Sequence, residues 1–289
     1  MLGFAAGGGT DALARALAPL VGAKLGVTIV VENRPGANGN LASEHVARSA
    51  PDGTIFLYNT SSLVTSPVLY AKVGFDPFKD FVPVAAIANV PLLLVAHSSV
   101  PANNLVEFVA YAKANPGKLS YASAGNGNST HLANLLFQQS VGISAAHVPY
   151  KGGAPALNDL LGGHVHFYMD TANTAIPFVQ KKQIKAYAST GLTRLAALPD
   201  VPTVAETVVP GFETGSWSGI VAPARTPADT VKRMNAAIQA VQKDPVNASI
   251  FSQQSAEIRA GSPEQYASFL SKESRRWGEI IRANNIRLD

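Results

Sequence analysis

The chain contains no cysteine among its 289 residues. Disulfides, thiolate metal sites and cysteine nucleophiles are thereby excluded, while the compartment stays open, because cytoplasm and periplasm both accommodate such a chain. Charge is also scarce: charged residues make up 15% of the sequence, with a net charge of +4. The basic residues are scattered, with only Lys181-Lys182 and Arg275-Arg276 adjacent, so there is no stripe to track nucleic acid. No apolar run approaches the roughly 18–20 residues of a membrane helix; the longest, such as Pro91–Ala96, have strand length. The sequence does not open on a basic region followed by an apolar stretch, and no export signal is expected in it.

What is present is core material. Hydrophobic residues make up 47% of the chain, enough at this length for two α/β domains. Short β-branched runs at Val27–Glu32, Thr54–Tyr58, Pro91–His97, Leu119–Ala124, Ala145–Tyr150, Val165–Asp170 and Ile184–Ser189 predict strands, and they alternate with helical patterns, as in a mostly parallel α/β architecture. Leu105, Phe108, Val109 and Ala112 form a helical stripe opened by the cap Asn103-Asn104. Pro19 is expected to kink the first helix or end its regular bonding near Arg15. Two Pro-rich passages, Ser98–Asn103 and Ala222–Asp229, are candidate hinge strands. They predict a discontinuous first lobe (residues 1–98 plus 222–289), a second lobe (99–221) and a cleft between them.

The polar residues gather at strand ends, where open α/β sheets place ligand crevices. Gly7-Gly8-Gly9-Thr10-Asp11 delivers free amides and a hydroxyl to a helix N-terminus, a place that attracts carboxylate or phosphate, although a plain tight turn would read the same way. It has neither the Lys-Ser/Thr ending of a P-loop nor dinucleotide spacing. Asn59-Thr60-Ser61-Ser62 and Gly125–His131 are similar loops entering helices, open to anion binding or to ordinary capping. Tyr150, Lys151 and Gly152 supply a ring, a cation and a permissive backbone. Asp170 suits either a ligand amine or a capping role.

Catalytic constellations are poor. His164 and His166 lie two apart with no third ligand near, so a metal site is not expected. His45 reads as a surface residue and His97 as a strand end. No HExxH, GxSxG or nucleophile–base spacing occurs. An enzyme on a two-lobed fold and the ligand-sensing domain of a regulatory system are the competing classes.

Several segments together resemble one family. Phe4–Asp11, Glu32–Gly39, Pro51-Asp52-Gly53, Gly125-Asn126-Gly127 with His131-Leu132, His147–Gly152, Asp159–Gly163, Leu198–Thr203 and Trp217-Ser218-Gly219 are similar to the Bug (TctC-type) receptors, the periplasmic solute-binding proteins of tripartite tricarboxylate transporters. The resemblance implies a two-lobed periplasmic-binding-protein (Venus flytrap) fold that closes on a carboxylate-bearing ligand, often through ordered water. It implies no catalysis and no cofactor or metal. The partners it implies are the small carboxylate and the membrane subunits of the transporter, with no nucleic acid and a monomeric protein residing in the periplasm. Carried over by position, the binding residues are Ala6, Gly8, Gly9, Thr10 and Asp11; Asn59, Ser61 and Ser62; Gly127, Asn128, Ser129 and His131; and Tyr150, Lys151, Gly152 and Asp170. The loop Asn33–Asn40 is expected to be structural and outside the pocket. Two departures stand out: only Met1, Leu2 and Gly3 precede Phe4, which implies a truncated or shortened first strand, and Asn128 replaces a common Ser or Thr.

Overall fold

The computed structural model describes residues 1–283 and 286–288. Its helices are α1 (Gly9–Leu25), α2 (Asn40–Ala47), α3 (Ser62–Leu69), α4 (Leu105–Ala114), α5 (Ser129–Val141), α6 (Gly153–Leu161), α7 (Ala172–Gln180), α8 (Val204–Thr207), α9 (Ala228–Lys243), α10 (Ala248–Gln253) and α11 (Pro263–Ala283). The strands are β1 (Leu57–Thr60), β2 (Phe81–Ala96), β3 (Ser120–Ser123), β4 (Ala146–Pro149), β5 (Phe167–Thr171), β6 (Lys185–Ser189), β7 (Gly215–Pro223) and β8 (Glu257–Ile258).

One strand organises the molecule. The first part of β2, Phe81–Pro91, pairs with β7, and Ala88-Asn89 also pair with β8. Its last five residues, Leu92–Ala96, pair instead with β5 and β6. The first set of pairings, with β1 on β7, forms one lobe's sheet, and the second set, with β3 and β4, forms the other's. All pairings of β2 are antiparallel, and among the described strands β3–β4 and β3–β5 alone pair parallel, so the sheet is mixed rather than mostly parallel.

Alternation along β2 builds two cores at once, because successive side chains point to opposite faces. Leu92, Leu94 and Ala96 join Phe108, Phe137 and Phe167 in the second lobe's core. Leu93 and Val95 join a larger cluster with Leu13, Leu17, Ala156 and Leu160, from α1 and α6. Leu92, Leu93 and Leu94 are fully buried, each stabilising the fold by roughly 1.5–3 kcal/mol. A third cluster, with Leu57, Leu63, Trp217 and Tyr266, fills the first lobe's other face.

The partner change at Pro91/Leu92 is fastened by Thr190. Its N–H donates to the Leu92 carbonyl, its Oγ1 accepts the Leu92 N–H and donates to the Thr214 carbonyl, and its own carbonyl accepts the Thr214 N–H. The chain thus passes between sheets at Pro91/Leu92 and again between Thr190 and Gly215. The Pro-rich passages expected as hinges lie to either side. Val100 and Ala102 offer their carbonyls to Lys185 inside the second lobe (2.8 and 3.0 Å), and Pro227 opens α9 in the first. Their prolines set a loop and a helix start rather than a crossing.

Two other expectations change, and the helical stripe holds. Val27–Glu32 forms no strand: the neighbouring Asn33 makes an isolated bridge to Leu2, and Val27 and Val30 are exposed. Helix α1 runs through Pro19 to Leu25, because a proline withholds a single donor and the other bonds suffice. The stripe Leu105–Ala112 is a helix capped by Asn104, whose side chain accepts the Glu107 N–H.

Candidate functional site

Four helices begin at one cleft between the lobes. The first chamber, a narrow one, is bounded on the first lobe by Phe4, Ala5 and Gly8 to Asp11, with Ser216 of β7. On the second lobe it is bounded by Ala124, Asn128 and Thr130 at the start of α5, Gly153 at the start of α6, and Tyr168, Asp170 and Thr171 leading into α7. The N-termini of α1, α6 and α7 carry no side-chain cap. Their first-turn amides lack intrahelical acceptors, and each helix adds about half a positive charge at that end. No lysine or arginine lines the chamber, so its attraction for an anion is built from backbone dipoles. Helix α5 differs, since Asn128 accepts the Thr130 N–H at 3.0 Å.

The lobes touch across this chamber. A Cβ on Gly9 would press onto Thr171 Oγ1 and lie 2.5 Å from Asn173 Oδ1, so only glycine lets α1 reach α7. Asn173 Nδ2 donates to the Gly9 carbonyl (3.2 Å), and the Ala5 N–H donates to the Lys151 carbonyl (3.3 Å).

Asp11 and Asp170 behave differently. The Asp11 carboxylate accepts from Gly7 N (3.0 Å), Arg15 Nε (2.9 Å) and Asn33 Nδ2 (2.9 Å). Burial pushes its pKa up, but the bonds from Arg15, Gly7 and Asn33 and the Arg15 charge outweigh it and hold the group below its ordinary value. It braces the glycine loop. Asp170 is 1% exposed and faces no cation in hydrogen-bond reach; Thr171 N (2.8 Å) and Thr174 Oγ1 (2.6 Å) donate to it. Burial pushes its pKa to about 7 against the lowering effect of Thr174, Thr171 and Tyr168. At neutral pH it can therefore donate as an acid or accept as a carboxylate, the behaviour needed beside either a ligand carboxylate or a ligand amine.

Of the residues expected at the site, Gly8, Gly9, Thr10, Asp11, Asn128 and Asp170 line the first chamber. Tyr150 and Lys151 line a second one. The rest line neither chamber. Ala6 is exposed, and Gly152 packs on Ala5, where an added Cβ would sit 3.2 Å from its N atom. Asn59 exchanges hydrogen bonds with Tyr266 (2.9 and 3.1 Å). Ser62 bonds Thr60, and Ser61 Oγ is buried without a partner among the described residues. Ser129 donates to Asn128, and the Gly127 carbonyl accepts from Thr65 across the lobes (3.3 Å). His131 accepts the Gly127 N–H (3.0 Å) and stacks on His147 at 3.9 Å. Burial, and for His131 its neighbour His147, lowers both pKa values, to about 3 and about 4. This neutral pair supports the loop from beneath. His166 accepts the Ser120 N–H and His97 bonds Ser99, and no group of three acidic or histidine side chains suited to a metal occurs among the described residues.

Tyr168, Thr171, Ser216, Phe4 and Ala5 were not singled out as site residues in the sequence, and Thr130 and Gly153 were read only as parts of their loops. Tyr168 had a signal, since it stands two before Asp170 and so shares its strand face. Thr130 sits one turn position inside a helix already suspected. Ser216 offered none.

The second chamber shares Phe4 and Ala124 with the first. Its first-lobe wall is Gly3, Gly36 to Gly39 and Tyr70, and its second-lobe wall is Gly125, Asn126 and Pro149 to Lys151. The loop expected to be structural therefore reaches the cleft, because left-handed Asn38 (φ 56°) turns the chain toward it. Tyr150 Oη donates to Asp159 (2.6 Å), and burial and that carboxylate push its pKa up to about 12. It serves as a wall.

The family model described as "Tripartite tricarboxylate transporter family receptor" matches residues 13–286. Among solved structures, the chain is similar to the periplasmic binding protein BugD at 36% identity and a TM-score of 0.94, covering 99% of this chain and 96% of that one. It is similar to Rpa4515 of R. palustris with adipate at 34% identity and 0.94, covering 97% and 95%. It is also similar to MatC of Rhodopseudomonas palustris with bound malate, at 32% identity and 0.90, covering 97% of each.

Proposed function

This chain belongs to the tripartite tricarboxylate transporter receptor family, and from that premise we propose that it captures a small carboxylate-bearing organic anion in the interlobe cleft and delivers it to membrane subunits. The observation that carries this reading is the convergence of the N-termini of α1, α5, α6 and α7 on one chamber without a lysine or arginine in its wall. Such a chamber suits a carboxylate, which can accept several backbone N–H bonds at once. The adipate and malate bound to the similar R. palustris proteins support the same class of ligand.

The moving bodies in this proposal are residues 1–91 with 215–289, and 92–214. Closure brings Gly9 to Thr171 and Ala5 to Lys151, and the closed face is the surface a membrane partner would recognise. The protein acts as a receptor, and its place of work is the periplasm, where its relatives are periplasmic binding proteins.

A thermal-shift screen over carboxylic acids, with adipate and malate included, tests the reading. A ligand at 100 times its Kd stabilises by about 2.7 kcal/mol, so a clear rise in Tm is expected from at least one acid. No rise with any of them, or turnover of an acid without a stable complex, overturns it. Delivery is tested by saturable uptake in membrane vesicles carrying the transporter subunits, with and without the receptor.

A further inference from the structure

Outside the two chambers the lobes meet along an apolar seam, and the C-terminal segment lies in it. A cluster of buried side chains joins Leu132 of α5, in the second lobe, to Leu69 of α3 and to Trp277 and Ile281 of α11, in the first, with Ile286 and Leu288 packed against it. The sequence Ile286-Arg287-Leu288 alternates apolar, charged, apolar, and an extended chain with that alternation turns one face to a core and the other to water. Arg287 is exposed and its two neighbours are half-buried. The Leu288 N–H donates to the Leu69 carbonyl (2.7 Å), one of the acceptors left over where α3 ends, and Leu288 makes a parallel bridge to Tyr70. The backbone of the segment is thereby bonded to the first lobe.

Its side chain reaches the second. Gly127, left-handed at φ +72°, stands opposite: a Cβ there would collide with Leu69 Cδ1 and lie 3.3 Å from Leu288 Cδ1. Thr65 Oγ1 donates to the Gly127 carbonyl at the same place (3.3 Å). Parting the lobes here breaks that bond and brings Leu69 and Leu132 into water. None of these contacts involves a ligand.

We infer that Ile286–Leu288 is a strap across the interlobe seam, which favours the closed form of the protein before any ligand is bound. The inference rests on the two moving lobes of the reading above. Bonded to Leu69 and Tyr70, the strap fixes the end of α3 against Gly127, and because Tyr70 also lines the second chamber, it holds that wall in place as well. A ligand that contacts both lobes then meets a cleft whose closure is already favoured, and its apparent affinity rises whichever acid it is.

Small-angle X-ray scattering without ligand compares the wild type with three variants: Leu288→Ser, which keeps the backbone bond to Leu69, the chain ended after residue 285, and Arg287→Ala, a control on the exposed face. The first two should show a larger radius of gyration with an unchanged far-UV spectrum, and saturating adipate or malate should return them to the wild-type value. Calorimetry should find their affinity for either acid lower by about fivefold, the same factor for both, as a smaller closed fraction requires. Arg287→Ala should match the wild type throughout. A lower urea midpoint with radius and affinity unchanged would make the segment ordinary packing of α11 and overturn the strap, as would a larger radius without loss of affinity, or wild-type behaviour in both strap variants. If neither acid nor any other binds the wild type, the receptor reading fails, while the ligand-free scattering still decides the strap.

Discussion

Two aspartates flank the first chamber from opposite lobes and show how differently one cleft can treat a carboxylate. Asp11 meets an arginine, an asparagine and a backbone amide, and its charge is stabilised below the ordinary pKa. Asp170 meets two threonines and a tyrosine in full burial, and its pKa rises to about 7. The first lobe therefore contributes to the chamber a braced loop whose acidic group is already engaged. The second offers an acidic group whose charge is still undecided at neutral pH. Burial alone does not set a carboxylate's role; the presence of a cation within reach does.

The largest expected effect tests the undecided group. Because the folded pKa of Asp170 lies above 3.8, the native state holds a proton that the unfolded chain releases. Its stability should be greatest below that value, decline as pH rises toward about 7, and level off beyond it. Asp170→Asn should remove up to about 4 kcal/mol of that decline, read from urea unfolding at pH 4, 6 and 8. Identical pH profiles for wild type and variant would erase the contrast between the two aspartates.

Asp11→Ala comes next. It removes an acceptor from Arg15, Asn33 and Gly7, although Arg15 and Asn33 keep the bond to each other, and hydrogen bonds to a charged group of this kind stabilise by about 2 kcal/mol. The loss should appear at neutral pH and not depend on pH between 6 and 8, unlike that of Asp170. Gly9→Ala sharpens the comparison from the other side, since it leaves both carboxylates intact and blocks the approach of α1 to Thr171. Ligand affinity should fall about tenfold, or about 1.4 kcal/mol, with the urea midpoint of the free protein unchanged. The smallest effect belongs to Tyr150→Phe, which removes the hydroxyl donated to Asp159: about 1 kcal/mol of stability and no change in affinity, measured by the same unfolding and calorimetry.

Much of this arrangement was legible beforehand where short β-branched runs ended in small polar loops. Leu119–Ala124, Ala145–Tyr150, Val165–Asp170 and Ile184–Ser189 all overlap observed strands. Strand β7, Gly-Ser-Trp-Ser-Gly at its start, was missed because those residues carry little strand propensity, and β2 was read only from Pro91 because Pro83 and a run of alanines interrupt its first half. Pro83 is accommodated at a register shift against β7. At the site, the loops could be read but their facing atoms could not. Asn59, Ser62 and His131 have the right chemistry, and the fold turns them toward Tyr266, Thr60 and Gly127. Asn38, in a loop set aside as structural, comes to line the second chamber. Spacing carries no information about such a rotation.

The sharing of β2 has a mechanical consequence. A receptor whose lobes were joined by slack linkers would open and close against entropy alone. Here the connection is a hydrogen-bonded ribbon clamped on both sides of Pro91/Leu92, with Thr190 as a rivet beside it. Motion between lobes must flex that ribbon like a leaf spring, so the geometry of opening is guided along one path. Neither lobe can be excised with its sheet complete, since cutting at the crossing removes a strand from one half or the other. Urea should accordingly melt both halves in a single step.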